Sequence, residues 1–308
     1  MFDSDFEKGR YHPLVLPEYN VPLTIDGLRE IFSSCSDFEV REIAFGLEKN
    51  VRLNVCWLDG IVSGGEVSTS VLRPLTQSAR AGSARDEAQA LAAVLCGAVY
   101  SCSVKQCTAM DETVSALTHG HCAVIFDTLQ TALCFEVRSE NTRAISEPTL
   151  EKALKGAKDS FVETLRTNTA LVRRRICTPK LKLIESTVGR KSGTRVAVMF
   201  IDGVAAPETV KELAARLDAL DIDALLGVGI LEEGIVDAPS SPFPQLIHTE
   251  RPDRFSMYLM DGRVGLLVDG IPVGLVLPVT FAEFMKVTGD ANLHYLVSSV
   301  TAAVRYFS

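Results

Sequence analysis

Apolar runs of strand length alternate with amphipathic stretches of helix length along this chain, and the order of these elements is written out twice. "TIDGLREIFSSC" from Thr24 and "FVETLRTNTALVRRRI" from Phe161 space their apolar residues three and four apart, which predicts helices with one buried face. Each is followed by a strand pair, turning at "GLEKN" or at "GRKSG", where Gly, Asn and Ser supply turn conformations. The second strand of each pair, "RLNVCWLDGIV" from Arg52 or "RVAVMFIDGVA" from Arg195, is almost wholly apolar, as expected of a strand covered on both faces. A helix comes next, "GEVSTSVLRPL" or "APETVKELAARLDAL". The latter carries Pro207 in its first turn, where a missing N–H costs little. Each half closes with a short helix and a hairpin, "CAVIFDTLQTALCFEV" turning at "DTLQ" and "VGLLVDGIPVGLVLP" turning at "DGIP".

The two halves are in register. An offset of 143 (195 − 52) aligns Arg52 with Arg195, Val55 with Val198, Asp59 with Asp202 and Gly60 with Gly203. An offset of 142 (262 − 120) aligns "GHCAVIFD" from Gly120 with "GRVGLLVD" from Gly262. Repeated strand–helix order of this kind predicts an α/β protein: two similar α/β subdomains in tandem, each a small mixed sheet flanked by helices. The expected boundaries are an N-terminal arm over 1–20, a first subdomain over 21–140, a polar helical connector over 141–160, and a second subdomain over 161–290. A C-terminal amphipathic helix over 291–308 completes the chain. It stops in mid-pattern, which predicts that the natural protein continues beyond it.

Composition narrows the class. The 308 residues are 47% hydrophobic and 23% charged, the balance of packed domains, and the net charge of −8 argues against nucleic acid, which needs a basic face. No basic head precedes an apolar run at the N-terminus, so no secretory signal is expected. The longest apolar run, from Val264, is broken by Asp269, Gly270 and two prolines and reads as a hairpin. The eight cysteines sit in apolar runs, as reduced core thiols do. The spacings of Cys102, Cys107, His119, His121 and Cys122 match no common zinc pattern, so no metal or other cofactor is expected.

Candidate chemistry is sparse. Asp59-Gly60 and Asp202-Gly203 end apolar strands, where binding residues often lie. Their recurrence favours a turn that leaves the strand and caps the next helix. "GIVSGGE" lacks the lysine and spacing of a phosphate loop, no Gly-x-Ser-x-Gly elbow is present, and His248 beside Glu250 is an ordinary surface pairing. No enzyme is predicted. Arg173, Arg174 and Arg175 end a helix, where cations suit the unpaired carbonyls; the run also suits an acidic partner or an anionic membrane surface. In "FPQLIHTERPDR" the prolines hold the chain extended, Thr249 or a neighbour caps the following helix, and Pro252 and Asp253 occupy its first turn. Glu250, Arg251 and Arg254 then form either an internal ion-pair network or a docking surface. Phe243, Pro244, Gln245, Thr249, Glu250, Arg251, Pro252 and Asp253, with the three arginines, are the candidate contact residues.

"DSFVETLRTNTALVRRRI" (159–176), "TVGRKSGTRVAVMFIDGVA" (187–205) and the segment from Ser241 to Pro278 together resemble the GerA-type spore germination family, the A subunit of nutrient germinant receptors. The resemblance runs from about Cys56 to the end; "KGAKDSF" departs from it, with Ala157 where the family has proline. It implies a soluble N-terminal region ahead of a membrane-helix bundle, on the cytoplasmic (spore core) side of the inner spore membrane. The implied role is to couple nutrient sensing to ion release. Implied partners are the receptor B and C subunits and the chain's own membrane domain, with a homo-oligomer and a small-molecule nutrient as further candidates. A clamp holding a small molecule or ion between the subdomains is the alternative, and a sporulation-specific branch shares the same architecture.

Overall fold

The computed structural model describes residues 19–45, 51–77, 84–99, 103–137, 157, 159–225, 227–237 and 244–280. The C-terminal helix expected over 291–308 lies outside them, as do the arm over 1–20 apart from Tyr19 and Asn20, and the connector over 141–160 apart from Ala157, Asp159 and Ser160. The described residues fall into two compact units. The first takes those of Met1–Ile31, Val40–Trp57 and Val67–Val137, the second those of Phe32–Glu39, Leu58–Glu66 and Arg138–Ser308. Two short segments early in the chain therefore belong to the second unit.

Each half of the chain builds a five-stranded sheet. The first contains β1 (Phe38–Phe45), β2 (Val51–Leu58), β3 (Val104–Cys107), β4 (His121–Phe126) and β5 (Thr131–Glu136), in the order β1-β2-β4-β5-β3. The second contains β6 (Leu181–Val188), β7 (Thr194–Ile201), β8 (Ile247–Thr249), β9 (Val264–Val268) and β10 (Gly274–Leu277), in the order β6-β7-β9-β10-β8. The topology is the same, and so is the register: Val55 lies opposite Val124 as Val198 lies opposite Leu266, which are the offsets of 143 and 142 seen in the sequence.

The strand pairings of both sheets are antiparallel wherever the register is described, which corrects the mixed sheet expected from strand–helix–strand order. A helical connection imposes parallel pairing only when it links two neighbouring strands. Here the helical stretch after β2 leads instead to the edge strand β3, and the one after β7 leads to the edge strand β8.

The helices are α1 (Ile25–Ile31), α2 (Gly64–Val67), α3 (Arg73–Gln77), α4 (Glu87–Ala93), α5 (Met110–Thr118), α6 (Leu165–Arg173), α7 (Pro207–Asp218), α8 (Val228–Ile235) and α9 (Pro252–Met260). A π-helical turn over Ser68–Leu72 joins α2 to α3, just before Pro74, which has no N–H for a regular ladder. The two halves cap their first helices alike. Asp127, at the end of β4, accepts from the Ile25 N–H at 2.7 Å, and Asp269, at the end of β9, accepts from the Leu165 N–H at 3.0 Å. No helix among the described residues is long and apolar enough to cross a membrane.

The second sheet is covered on both faces, which explains its apolar central strands. Ala197 and Met199 of β7 pack with α6 and α9 through Leu165, Val172, Phe255 and Leu259. Val196 and Val198 face the opposite cluster with Leu213, Leu217, Leu231 and Ile235 of α7 and α8. The Phe255 ring meets Phe161 edge-on at 5.4 Å and lies over two strand positions, Gly265 and Gly274, where a Cβ would run into it.

Candidate functional site

Three of the motifs read from the sequence meet around α6 within the second unit. Asn168, fully buried, grips the backbone of Val162 with both ends of its amide, accepting at 2.8 Å and donating at 2.6 Å. This holds residues 161–164 out of the helix, so α6 starts at Leu165, four residues later than its apolar spacing implies. The arginine run then divides by helical period. Arg173 points inward at 1% exposure and holds the equally buried Asp37 by two bonds, Nε to Oδ2 at 2.9 Å and Nη2 to Oδ1 at 2.7 Å. Its Nη1 also donates to the Leu181 carbonyl at 2.6 Å. Burial opposes the Arg173 charge, but the Asp37 carboxylate and the Cys35 sulfur more than offset it and raise its pKa above the ordinary arginine value. Arg175 is part-buried and forks onto Asp159 at 2.6 and 2.7 Å. Arg174 is exposed.

Arg174 borders a polar hollow of about 260 Å³ whose floor is Arg166. The Arg166 guanidinium lies 3.0 Å from Asp59 and 2.9 Å from Glu185, and Ser63, Thr164 and Thr167 add hydroxyls to the wall. Gly60 turns under it with φ +96°; a side chain there would press on Arg166. The Asp-Gly repeat is thus a turn. Asp59 N–H donates to the Asp37 carbonyl and Asp202 N–H to the Lys180 carbonyl, both at 2.8 Å, with Gly203 at φ +79°. Neither aspartate caps a helix, contrary to the cap expected of them. Ala206 is the residue preceding α7, and the Asp59 carboxylate is engaged by Arg166 instead. Asp59 and Glu185 occupy the Arg166 guanidinium, so the hollow is near charge balance; with Arg174 and three hydroxyls on its wall it suits a small zwitterion rather than a bare anion. Sequence reasoning passed over Arg166 because only the turn after β2 brings Asp59 to it.

The "FPQLIHTERPDR" stretch is mostly interior. Phe243 lies outside the described residues. Pro244 is exposed, and Gln245 accepts from the Asp237 N–H at 2.9 Å. Thr249 closes β8 at 2% exposure and accepts from the Arg251 N–H at 3.2 Å; it sits just ahead of α9 without capping it. The Glu250 carbonyl accepts from the Phe161 N–H at 2.8 Å. Arg251, at 3% exposure, forks onto Asp253 at 3.0 and 2.5 Å, and Pro252 opens α9. Arg254 donates to the Tyr258 hydroxyl at 3.0 Å. Of the candidate contact residues, Arg173, Thr249, Arg251 and Pro252 are therefore buried, and their side chains serve the fold. His248 and Glu250 do not form a pair: His248, about half exposed, faces Glu232 at 3.5 Å. His119 and His121 turn ring nitrogens to carbonyls of α5, at 2.7 and 3.1 Å.

A solved crystal structure, that of the N-terminal domain of the A subunit of the Bacillus megaterium spore germinant receptor GerK3, shares this fold. It covers 86% of the chain and 98% of that domain, with a TM-score of 0.67 and 27% identity. The sequence pattern of the Bacillus/Clostridium GerA spore germination proteins matches residues 26–308, and the chain belongs to that family. Spore germination protein B1 of Bacillus subtilis (strain 168) is 33% identical over 92% of the chain, and spore germination protein A1 of the same organism is 36% identical over 64%. Stage V sporulation protein AF of that organism is 28% identical over 88%. The chain spans 58%, 41% and 54% of these three relatives' lengths. The family is one of spore germination proteins, not a known enzyme family.

Proposed function

We propose that this chain is the N-terminal signalling and assembly module of a spore germinant receptor A subunit, coupling nutrient sensing to ion release through a membrane domain. The observation that carries this reading is the match to the GerK3 A-subunit domain over 86% of this chain and 98% of that domain. The module lies on the core side of the inner spore membrane and assembles with the receptor B and C subunits, its own membrane domain and further copies of itself. Its contacts fall to the candidate residues that reach the surface, namely Arg174, Arg175, Pro244, Gln245, Glu250 and Asp253. The motif's buried arginines keep those residues in place. The test is ion release from spores, or conductance of the full-length protein in vesicles, with and without residues 1–290. Equal response to germinant in both forms would sink the reading.

The charge-balanced Arg166 hollow favours a second reading, capture of a small zwitterionic nutrient by the second unit. Thermal-shift titration with amino-acid germinants tests it: a concentration-dependent rise in melting temperature that Arg174→Ala abolishes supports capture, and no rise with any of them removes it.

A further inference from the structure

At the edge of the first sheet two thiols meet. Cys107 closes the edge strand β3, and Cys134 lies in the middle of β5. The register sets Cys107 opposite Ala132 and Cys134 opposite Lys105, so the two form a diagonal pair on one face. Their sulfurs are 3.8 Å apart, and neither residue has exposed surface. The second sheet supplies an internal comparison. There β8 and β10 repeat the register, with Thr249 opposite Gly274 and Val276 opposite Ile247, so Thr249 and Val276 occupy the equivalent places. A hydroxyl and a branched alkyl fill these positions without exposed surface beyond 2%. The fold therefore does not need thiols there.

We propose that Cys107 and Cys134 are an oxidisable pair, a modification site that closes to a disulfide on reaction with a peroxide. The contact between the two sulfurs lowers the Cys107 pKa, which together with its place on the edge strand makes Cys107 the attacking group, while that contact and burial raise Cys134. The Cys107 sulfur takes one peroxide oxygen: an S–O bond forms, the O–O bond breaks, and the departing oxygen leaves as water with the Cys107 proton. The Cys134 sulfur then attacks the sulfenic acid. The S–S bond forms, the S–O bond breaks, and a second water leaves with the Cys134 proton. Two thiols lose two electrons and two protons, and the peroxide takes up both. Entry is through β3, which is paired on one side only and exposes three of its four residues. Opening one short edge strand costs far less than unfolding the sheet.

The chain is treated with a small excess of hydrogen peroxide, quenched with catalase, unfolded in N-ethylmaleimide and mapped by peptide mass spectrometry. The expected product is a Cys107–Cys134 cross-linked peptide two hydrogens lighter than the reduced pair, with the equally buried Cys56 and Cys122 recovered as maleimide adducts. In Cys134→Ser the cross-link is lost and Cys107 accumulates as a sulfenic acid that dimedone traps. Cys134→Ala serves in its place if the serine variant fails to fold, and the wild-type map stands on its own. The inference is overturned if Cys107 and Cys134 both return as adducts at a dose that oxidises the exposed Cys96 and Cys177. It is equally overturned if cross-links appear only when peroxide is added in denaturant.

Discussion

Removing Asp37 would leave Arg173 charged and sealed inside the second unit. Both residues are 1% exposed, and the two bonds between them are the only side-chain pairing of Asp37 among the described residues. In Asp37→Ala the guanidinium keeps its bond to the Leu181 carbonyl but loses its counter-charge where water cannot enter. Truncating one partner of such a pair costs roughly 3–5 kcal/mol, because the surviving charge keeps its desolvation penalty. For a unit of this size that is a fall in melting temperature of about 6–20 °C. The part-buried pair Arg175–Asp159 sets the scale: Asp159→Ala should cost only about 1 kcal/mol. Urea unfolding followed by circular dichroism measures both, and the double variant Asp37→Leu/Arg173→Met is the control. Replacing the whole pair by apolar groups should recover most of the loss. If Asp37→Ala unfolds within 1 kcal/mol of the parent, or the double variant is worse than the single, the reasoning from burial is wrong.

Three other outcomes follow from the geometry. Gly265→Ala puts a methyl into the Phe255 ring and should destabilise the second unit by about 1–3 kcal/mol, while Gly203→Ala, with open space around it, should cost only its backbone strain; urea midpoints separate the two. Asp127→Ala and Asp269→Ala each remove a bond to the first N–H of a helix, and each should cost about 1 kcal/mol by thermal melting, equally in the two halves. His248→Ala, at a half-exposed position with a long contact to Glu232, should leave both melting temperature and germination rate unchanged; a germination defect would give that residue a role beyond a surface contact.

The repeat was legible because it is written in residues that local geometry demands. A left-handed turn after an apolar strand selects Gly60 and Gly203, and a helix start beside a strand end selects Asp127 and Asp269. The central strands showed as well, since cover on both faces makes them continuously apolar. Edge strands β3 and β8, four and three residues long, were not legible, because runs that short carry too few positions to show a period; the eight-residue edge strands β1 and β6 were. The pairing direction was misread for a related reason: periodicity reports which residues are buried, not which strand lies beside which.

The candidate site divides the same way. Sequence alone determined the fold class, the family signature and the helix that ends in three arginines. Only the tertiary structure decided that these arginines have three different fates, one sealed against Asp37, one forked onto Asp159 and one at a polar hollow. Asp37 and Arg173 are 136 residues apart, so no local rule links them. Their partnership comes from long-range packing, which sets what a charge faces and hence whether it serves the fold or a ligand.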